Sequence, residues 1–229
     1  MSNLFENKTS FNEDIGGWNV SNVTDMSSMF EKATSFNQGI GDWDVSNVTN
    51  MSSMFKNASA FNQQLYEWQL NGTFENVANT SSMFEGATSF NKNVDVLNVS
   101  SVTDMSSMFK NATSFNSNFN WNQAYTTNVA NTSSMFEGAT SIDNYLIDSL
   151  HFDNVIDMRN MFKNAINLDR SLNNWRFGAN LSYDNANIAV QNMFLGANKM
   201  NSIKGYNSNP ALTQFTVNDE FIYRFTNTP

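Results

Sequence analysis

Residues 43–65 read W-D-V-S-N-V-T-N-M-S-S-M-F-K-N-A-S-A-F-N-Q-Q-L, and most of that stretch recurs along the chain. Aligned on the Met-Phe dipeptide, copies are anchored at Met29, Met54, Met83, Met108, Met135, Met161 and Met193, with Leu4-Phe5 as an eighth, degenerate copy. The anchors are 25, 25, 29, 25, 27, 26 and 32 residues apart. A period near 25 is the length of one solenoid coil, too short for a two-helix repeat or a four-stranded propeller blade.

Each column of the repeat has a physical reading. Phe follows every anchor, as Phe5, Phe30, Phe55, Phe84, Phe109, Phe136, Phe162 and Phe194. Three residues on comes Ala33, Ala58, Ala87, Ala112, Ala139, Ala165 or Ala197, with Lys8 in the first copy. Three further comes a bulky apolar residue: Phe11, Phe36, Phe61, Phe90, Phe115, Ile142, Leu168 or Met200. An aromatic beside a small residue is what stacked coils require, so these columns are the expected structural core.

Four residues before the anchor stands Asp25, Asn50, Asn79, Asp104, Asn131 or Asp157, then Ala189 before the last, and three after it an Asn, Lys or Gly. Read as an N-cap and a left-handed C-terminal residue, these predict a short helix across M-S-S-M-F. Upstream, Trp18/Val20, Trp43/Val45, Trp68/Leu70, Leu97/Val99 and Trp175/Phe177 alternate with polar residues, the period-2 signature of a strand. The predicted fold is therefore an α/β solenoid, leucine-rich-repeat-like. It is a right-handed stack of about eight strand–turn–short-helix coils sharing one parallel sheet, over residues 1–205.

Composition narrows function. The 229 residues include 40 asparagines but only 12 Lys+Arg against 21 Asp+Glu, a net charge of −9. Such a chain has no electrostatic footprint for nucleic acid or an anionic membrane. With no cysteine there is no disulfide framework or thiolate zinc site, and no run approaches the roughly 20 apolar residues of a membrane helix. The asparagines have a structural use: Asn12, Asn37, Asn62, Asn91, Asn116, Asp143, Asp169 and Asn201 fall at a corner where side-chain amides can bond backbone groups.

The unit W-x-V-S-x-V-T-x-M-S-S-M-F-x-x-A-x-x-F-N resembles the 25-residue repeat of BspA-like bacterial surface proteins. It is similar to the treponemal class of leucine-rich repeats, where an Ala-Phe pair and a downstream Cys and Leu take the places of Met54-Phe55, Ala58 and Phe61. The resemblance covers residues 4–201 and is cleanest at 11–65 and 94–119. It implies a non-catalytic solenoid of the kind found in adhesins and surface lipoproteins that bind host proteins. Similar arrays occur in large DNA viruses of protists. The chain departs from the surface form: MSNLFENKTS has no signal-peptide character, no lipidation cysteine exists, and Met1 falls inside a repeat, leaving the first coil open. Those departures favour a virion-associated or intracellular setting over classical secretion, with the cell surface reached only by another route.

Irregularities are where a repeat scaffold places function. Insertions at Asn71–Asn76, Ala124–Asn128 and Gly178–Asn187 follow the predicted strand, so Phe74, Tyr125 and Tyr183 are candidate partner contacts, as are loop aromatics that merely pack. Residues 206–229 leave the repeat. There Phe215/Val217 and Phe221/Tyr223/Phe225 alternate around Asn218-Asp219-Glu220, a hairpin that either caps the last coil or docks on a partner.

Catalytic chemistry finds no constellation. Serines lack a base, because His151 is the single histidine, and Glu13/Asp14 and Asp42/Asp44 flank surface turns. Asp42, Asp44 and Asp14 fall short of the six to eight oxygens calcium takes. The column Thr9, Thr34, Ser59, Thr88, Thr113, Thr140 suggests ice binding only remotely, since it lapses at Ile166 and Asn198. No catalytic, cofactor or metal residue is assigned. The expected function is a non-enzymatic interaction solenoid, a structural component of an assembly such as a virus particle, with a cell-surface adhesin module as the alternative. Its expected partners are other proteins, copies of itself or capsid proteins.

Overall fold

The computed structural model describes residues 1–66, 68, 74–95, 97–119, 121, 126–170, 176–177, 191–197 and 199. These residues form a stack of coils, one for each anchor, joined by isolated parallel bridges running Asp25, Asn50, Asn79, Asp104, Asn131, Asp157 in order.

The coils are not built as expected. The predicted strand–turn–short-helix unit and its parallel sheet are absent among the described residues. The regular elements there are a 3₁₀ turn at Tyr145–Ser149 and two strands of two residues each, β1 (His151–Phe152) and β2 (Arg176–Phe177), paired in parallel. The remainder is turns and bridges, so this is not an α/β solenoid.

The backbone explains why M-S-S-M-F is not helical. Two residues per coil have positive φ, one just before the anchor and one three after it: Ser28 and Lys32, Ser53 and Asn57, Ser82 and Gly86, Ser107 and Asn111, and so on. A left-handed residue inside the run cannot continue a right-handed helix. The run instead folds as successive β-turns, with Met29 N–H donating to Met26 O, Glu31 to Ser28 O and Ala33 to Phe30 O at 3.0–3.2 Å.

The alternate amides leave the coil. Met26, Ser28, Phe30 and Lys32 N–H donate to Asn50, Ser52, Met54 and Lys56 O of the following coil at 2.7–3.0 Å. The same peptide units take bonds from the coil before, as when Asn3 N–H reaches Ser27 O and Phe5 N–H reaches Met29 O. In a parallel strand the amides between these four would bond the neighbour on the other side, whereas here they close turns within the coil, Met29 N–H on Met26 O and Glu31 N–H on Ser28 O. Backbone demand is thus met by four files of amides parallel to the stack axis.

The apolar columns lie within this frame. Phe5, Phe30, Phe55, Phe84, Phe109, Phe136, Phe162 and Phe194 form one ladder with ring centroids 5.3–5.7 Å apart. Phe11, Phe36, Phe61, Phe90 and Phe115 form a second at 5.8–6.1 Å. Within a coil the two ladders touch, with centroids 3.8–4.0 Å apart. These are offset stacks, and apart from the partly buried Phe5 and Phe11 of the first coil their rings form the buried core together with Ala33, Ala58, Ala87 and Ala112. Trp43, Trp68 and Trp121 are buried too, their indole N–H groups donating to Ile15, Ile40 and Leu97 O of the preceding coil at 3.1–3.2 Å.

Candidate interaction surface

Asparagine does three separate jobs. In the anchor run, the Asx four before the anchor accepts the N–H two residues on, as Asp25 Oδ1 does from Ser27 at 2.9 Å and Asn50 Oδ1 from Ser52 at 3.0 Å. The same bond recurs at Asn79, Asp104, Asn131 and Asp157. This is the contact an N-cap makes, but it opens a turn and not a helix. At the corner, each side chain accepts the N–H of its counterpart one coil later: Asn12 from Asn37, Asn37 from Asn62, Asn62 from Asn91, Asn91 from Asn116, Asn116 from Asp143, Asp143 from Asp169, all at 2.8–3.0 Å. A third column, Asn47, Asn76, Asn128 and Asn154, donates its amides to Ser21, Ser46, Ser100 and Thr127 O at 2.5–2.8 Å.

Hydroxyls are committed in the same way. Thr34 Oγ1 donates to Thr9 O at 3.2 Å, Ser59 Oγ to Thr34 O at 3.4 Å and Thr140 Oγ1 to Thr113 O at 3.4 Å. Where Thr80 and Thr132 replace core Met, their hydroxyls bond Asp104 and Asp157 O, which satisfies them in the interior.

The carboxylates singled out from the sequence serve turns. Asp14 Oδ1 accepts Gly16 N–H and Asp44 Oδ1 accepts Ser46 N–H, each at 3.0 Å. The Ser46 hydroxyl, with its N–H second, holds Asp44 below the ordinary carboxylate range.

Of the candidate partner contacts, Phe74 is buried and stacks on Trp68 at 6.3 Å, so its ring belongs to the core and offers no face to a partner. Tyr125, Tyr183, Phe215, Phe221, Tyr223 and Phe225 lie outside the described residues, as does the 206–229 tail. His151 is in β1, with Arg176 of β2 as its register partner. The large apolar side chains most open to solvent among the described residues include Tyr66, Tyr145, Ile156 and Ile166. No helix among the described residues is long and apolar enough to cross a membrane.

Two columns of the anchor run escape a reading of one repeat at a time, because their meaning lies in the order of residues from coil to coil. Three after the anchor, Gly86, Gly138 and Gly196 each follow an Asn in the previous coil. A Cβ there would stand 2.2–2.3 Å from Asn57, Asn111 or Asn164 Oδ1, so the amide occupies the room the glycine leaves. Two after the anchor, Glu31, Lys56, Glu85, Lys110, Glu137 and Lys163 alternate in sign. Lys56 meets Glu85 at 3.0 Å, and Glu137 sits between Lys110 at 2.9 Å and Lys163 at 3.3 Å. Burial pushes the Glu137 carboxyl up, but hydrogen bonds from Lys110, Ser134 and Lys163 together outweigh it and leave it lowered.

No curated protein matches the chain. The family model described as "Mycoplasma protein of unknown function, DUF285" matches three times, over residues 1–73, 71–175 and 120–217. The match is to this repeat family, related to the BspA-like surface repeats, and not to a BspA-like family itself. With residues 1–217 covered by the three matches, the chain belongs to the DUF285 family.

Proposed function

We propose that the chain is a non-enzymatic scaffold that presents its faces to other proteins, as a structural component of a larger assembly such as a virus particle. The observation that carries this reading is how its polar side chains are used. Corner asparagines, column threonines and turn aspartates spend their hydrogen bonds on neighbouring backbone, coil after coil. A chain so committed builds a long regular surface that charge and shape can address. Cell-surface adhesion is the second reading, and the family supports it, because its description is of bacterial proteins and its repeats are related to surface repeats.

Native mass measurement on material from the source cell or particle tests both. A stoichiometric complex with other structural proteins is expected. Recovery as a lone monomer overturns the assembly reading, and display on intact cells with binding to host or matrix protein favours adhesion instead.

A further inference from the structure

Near-identical coils pose a problem of order. Every coil offers its neighbour the same Phe at 5.3–5.7 Å, so the ring ladder closes as well with one coil skipped as with none. Misassembly is a characteristic failure of repeat proteins, and the ladder alone does not oppose it. From Met54 onward, however, the coils are of two alternating kinds. Those of Met54, Met108 and Met161 carry Lys56-Asn57, Lys110-Asn111 and Lys163-Asn164, and those of Met83, Met135 and Met193 carry Glu85-Gly86, Glu137-Gly138 and Leu195-Gly196. The long steps of 29, 27 and 32 residues all lead from a Lys-Asn coil to the Gly coil after it, while the steps from Gly coil to Lys-Asn coil are 25 and 26. Residues 76–89 and 128–141, the same part of two Gly coils, both read N-V-A-N-T-S-S-M-F-E-G-A-T-S. The chain thus repeats by two coils and not by one.

The contacts give the alternation a direction. Asn57, Asn111 and Asn164 Oδ1 fill the room that Gly86, Gly138 and Gly196 leave, and Lys56–Glu85 and Lys110–Glu137 close beside two of them. Skipping one coil would set Asn57 Oδ1 against the Cβ of Asn111, for which the seat has no space, and Lys56 against Lys110. Asn7 shows how an amide escapes when the next coil has a Cβ, at Lys32: it turns aside and donates to Glu6 Oε1 at 3.0 Å. Asn57, Asn111 and Asn164 follow a lysine, which has no acceptor, so that escape is closed to them. Skipping two coils restores both contacts, with Asn57 on Gly138 and Lys56 on Glu137.

We infer that the coil pair, a Lys-Asn coil followed by a Gly coil, is the unit of this solenoid, and that its Asn–Gly and Lys–Glu contacts form a register lock. The lock bars the skipping of a single coil and permits coils to be lost or gained in pairs. Specifying against a competing arrangement in this way stabilises the native order relative to its nearest rival. The inference holds whatever the surface binds, so it stands or falls apart from the scaffold reading.

Two internal deletions, compared by denaturant unfolding with the full chain, test it. Removing residues 83–134 takes out two coils and joins Ser82 to Met135, so the sequence at the join is unchanged and Asn57 meets Gly138. Removing residues 83–107 takes out one coil and sets Lys56-Asn57 beside Lys110-Asn111. The pair deletion is expected to fold. The single-coil deletion keeps more of the core, yet its folding equilibrium constant is expected to be about tenfold smaller than that of the pair deletion, or less. Asn111→Gly separates the lock from the mere injury of cutting a chain. In the single-coil deletion it is expected to raise that constant about tenfold, and in the full chain, where Asn111 fills the room at Gly138, to give no such gain. A pair deletion that fails to fold, or is no more stable than the single-coil one, overturns the inference. So does a gain from Asn111→Gly that is equal in the two chains or absent from the shortened one.

Discussion

Between Phe30 and Phe115 the coil repeats with little change, while between Thr126 and Arg170 the same coil is kept with different side chains. The positive-φ positions, the amide files and the first Phe ladder run through both stretches. What changes is the rest. The second Phe ladder gives way to Ile142 and Leu168, and Phe119 moves against Phe115 and Phe136 at 6.3 and 5.8 Å. The corner amide becomes Asp143, whose charge meets Arg170 at 2.9 Å. The backbone conformation and one ring column therefore define the coil, and the other columns can be exchanged when a neighbour compensates.

The largest expected effect tests the shared ladder. Phe84 is fully buried between Phe55 and Phe109 at 5.5 Å and against Phe90 at 4.0 Å. Phe84→Ala is expected to cost about 3–5 kcal/mol in denaturant unfolding, and Phe136→Ala, in the altered region, a comparable amount. A much smaller loss at Phe136 would mean that the ladder is not what the two regions share.

Next comes the Asn–Gly column. Gly138→Ala puts a side chain on a residue at φ +69° and into Asn111 Oδ1, for which about 1–3 kcal/mol is expected. Asn111→Gly in the same chain is expected to recover the steric part, seen as a favourable coupling in a double-mutant cycle. Strict additivity would show that the two residues do not interlock.

The corner sharpens the contrast further. Asn37→Ala leaves Asn62 N–H without its acceptor and is expected to cost about 1–2 kcal/mol. Asp143→Asn keeps an acceptor for Asp169 N–H and loses only a half-exposed pairing with Arg170, so about 0–1 kcal/mol is expected. Equal losses would remove the distinction between an amide corner and a charged one.

The smallest effect is in acid. Because the Glu137 carboxyl is lowered in the folded chain, its contribution is fully present above the unfolded glutamate value and fades as pH falls through the folded one. A difference under about 1 kcal/mol is expected, and Glu137→Gln should flatten the stability profile below about pH 4.5. An unchanged profile in the variant would show that other carboxylates govern that window.

The register of the repeat and its buried columns were legible because packing demands the same side chain at the same phase in every coil. The path of the backbone was not, since two conformations share its local signals. An Asx that accepts the N–H two residues on marks a helix start or an Asx-turn, and an Asn or Gly of positive φ ends a helix or sits inside a β-turn. What separates them is Ser28, Ser53, Ser82, Ser107 and Ser134 at φ 52–57°, a conformation serine does not advertise. The Trp/Val alternation misled similarly, as Trp43 is buried by the Ile15 carbonyl it bonds and not by a sheet. The Asn–Gly and Glu–Lys orders were present in the letters, but they are relations between successive coils and vanish when a column is averaged.

The four amide files have an electrical consequence. Each file passes from coil to coil through a peptide group whose carbonyl faces the earlier coil and whose N–H faces the later one, as from Asn3 through Ser27-Ser28, Ser52-Ser53 and Ser81-Ser82 to Ser106. An α-helix lines up its peptide groups in the same head-to-tail way, and their moments add. Here they add across coils, only partly offset by the amides of Thr49, Ala78, Thr103, Ala130 and Ile156 and by those of Ser35, Ala60 and Ser89, which point back. The stack is thus a macrodipole assembled sideways, positive toward the coil of Met193, and any charged group meeting the molecule would feel which end it had reached.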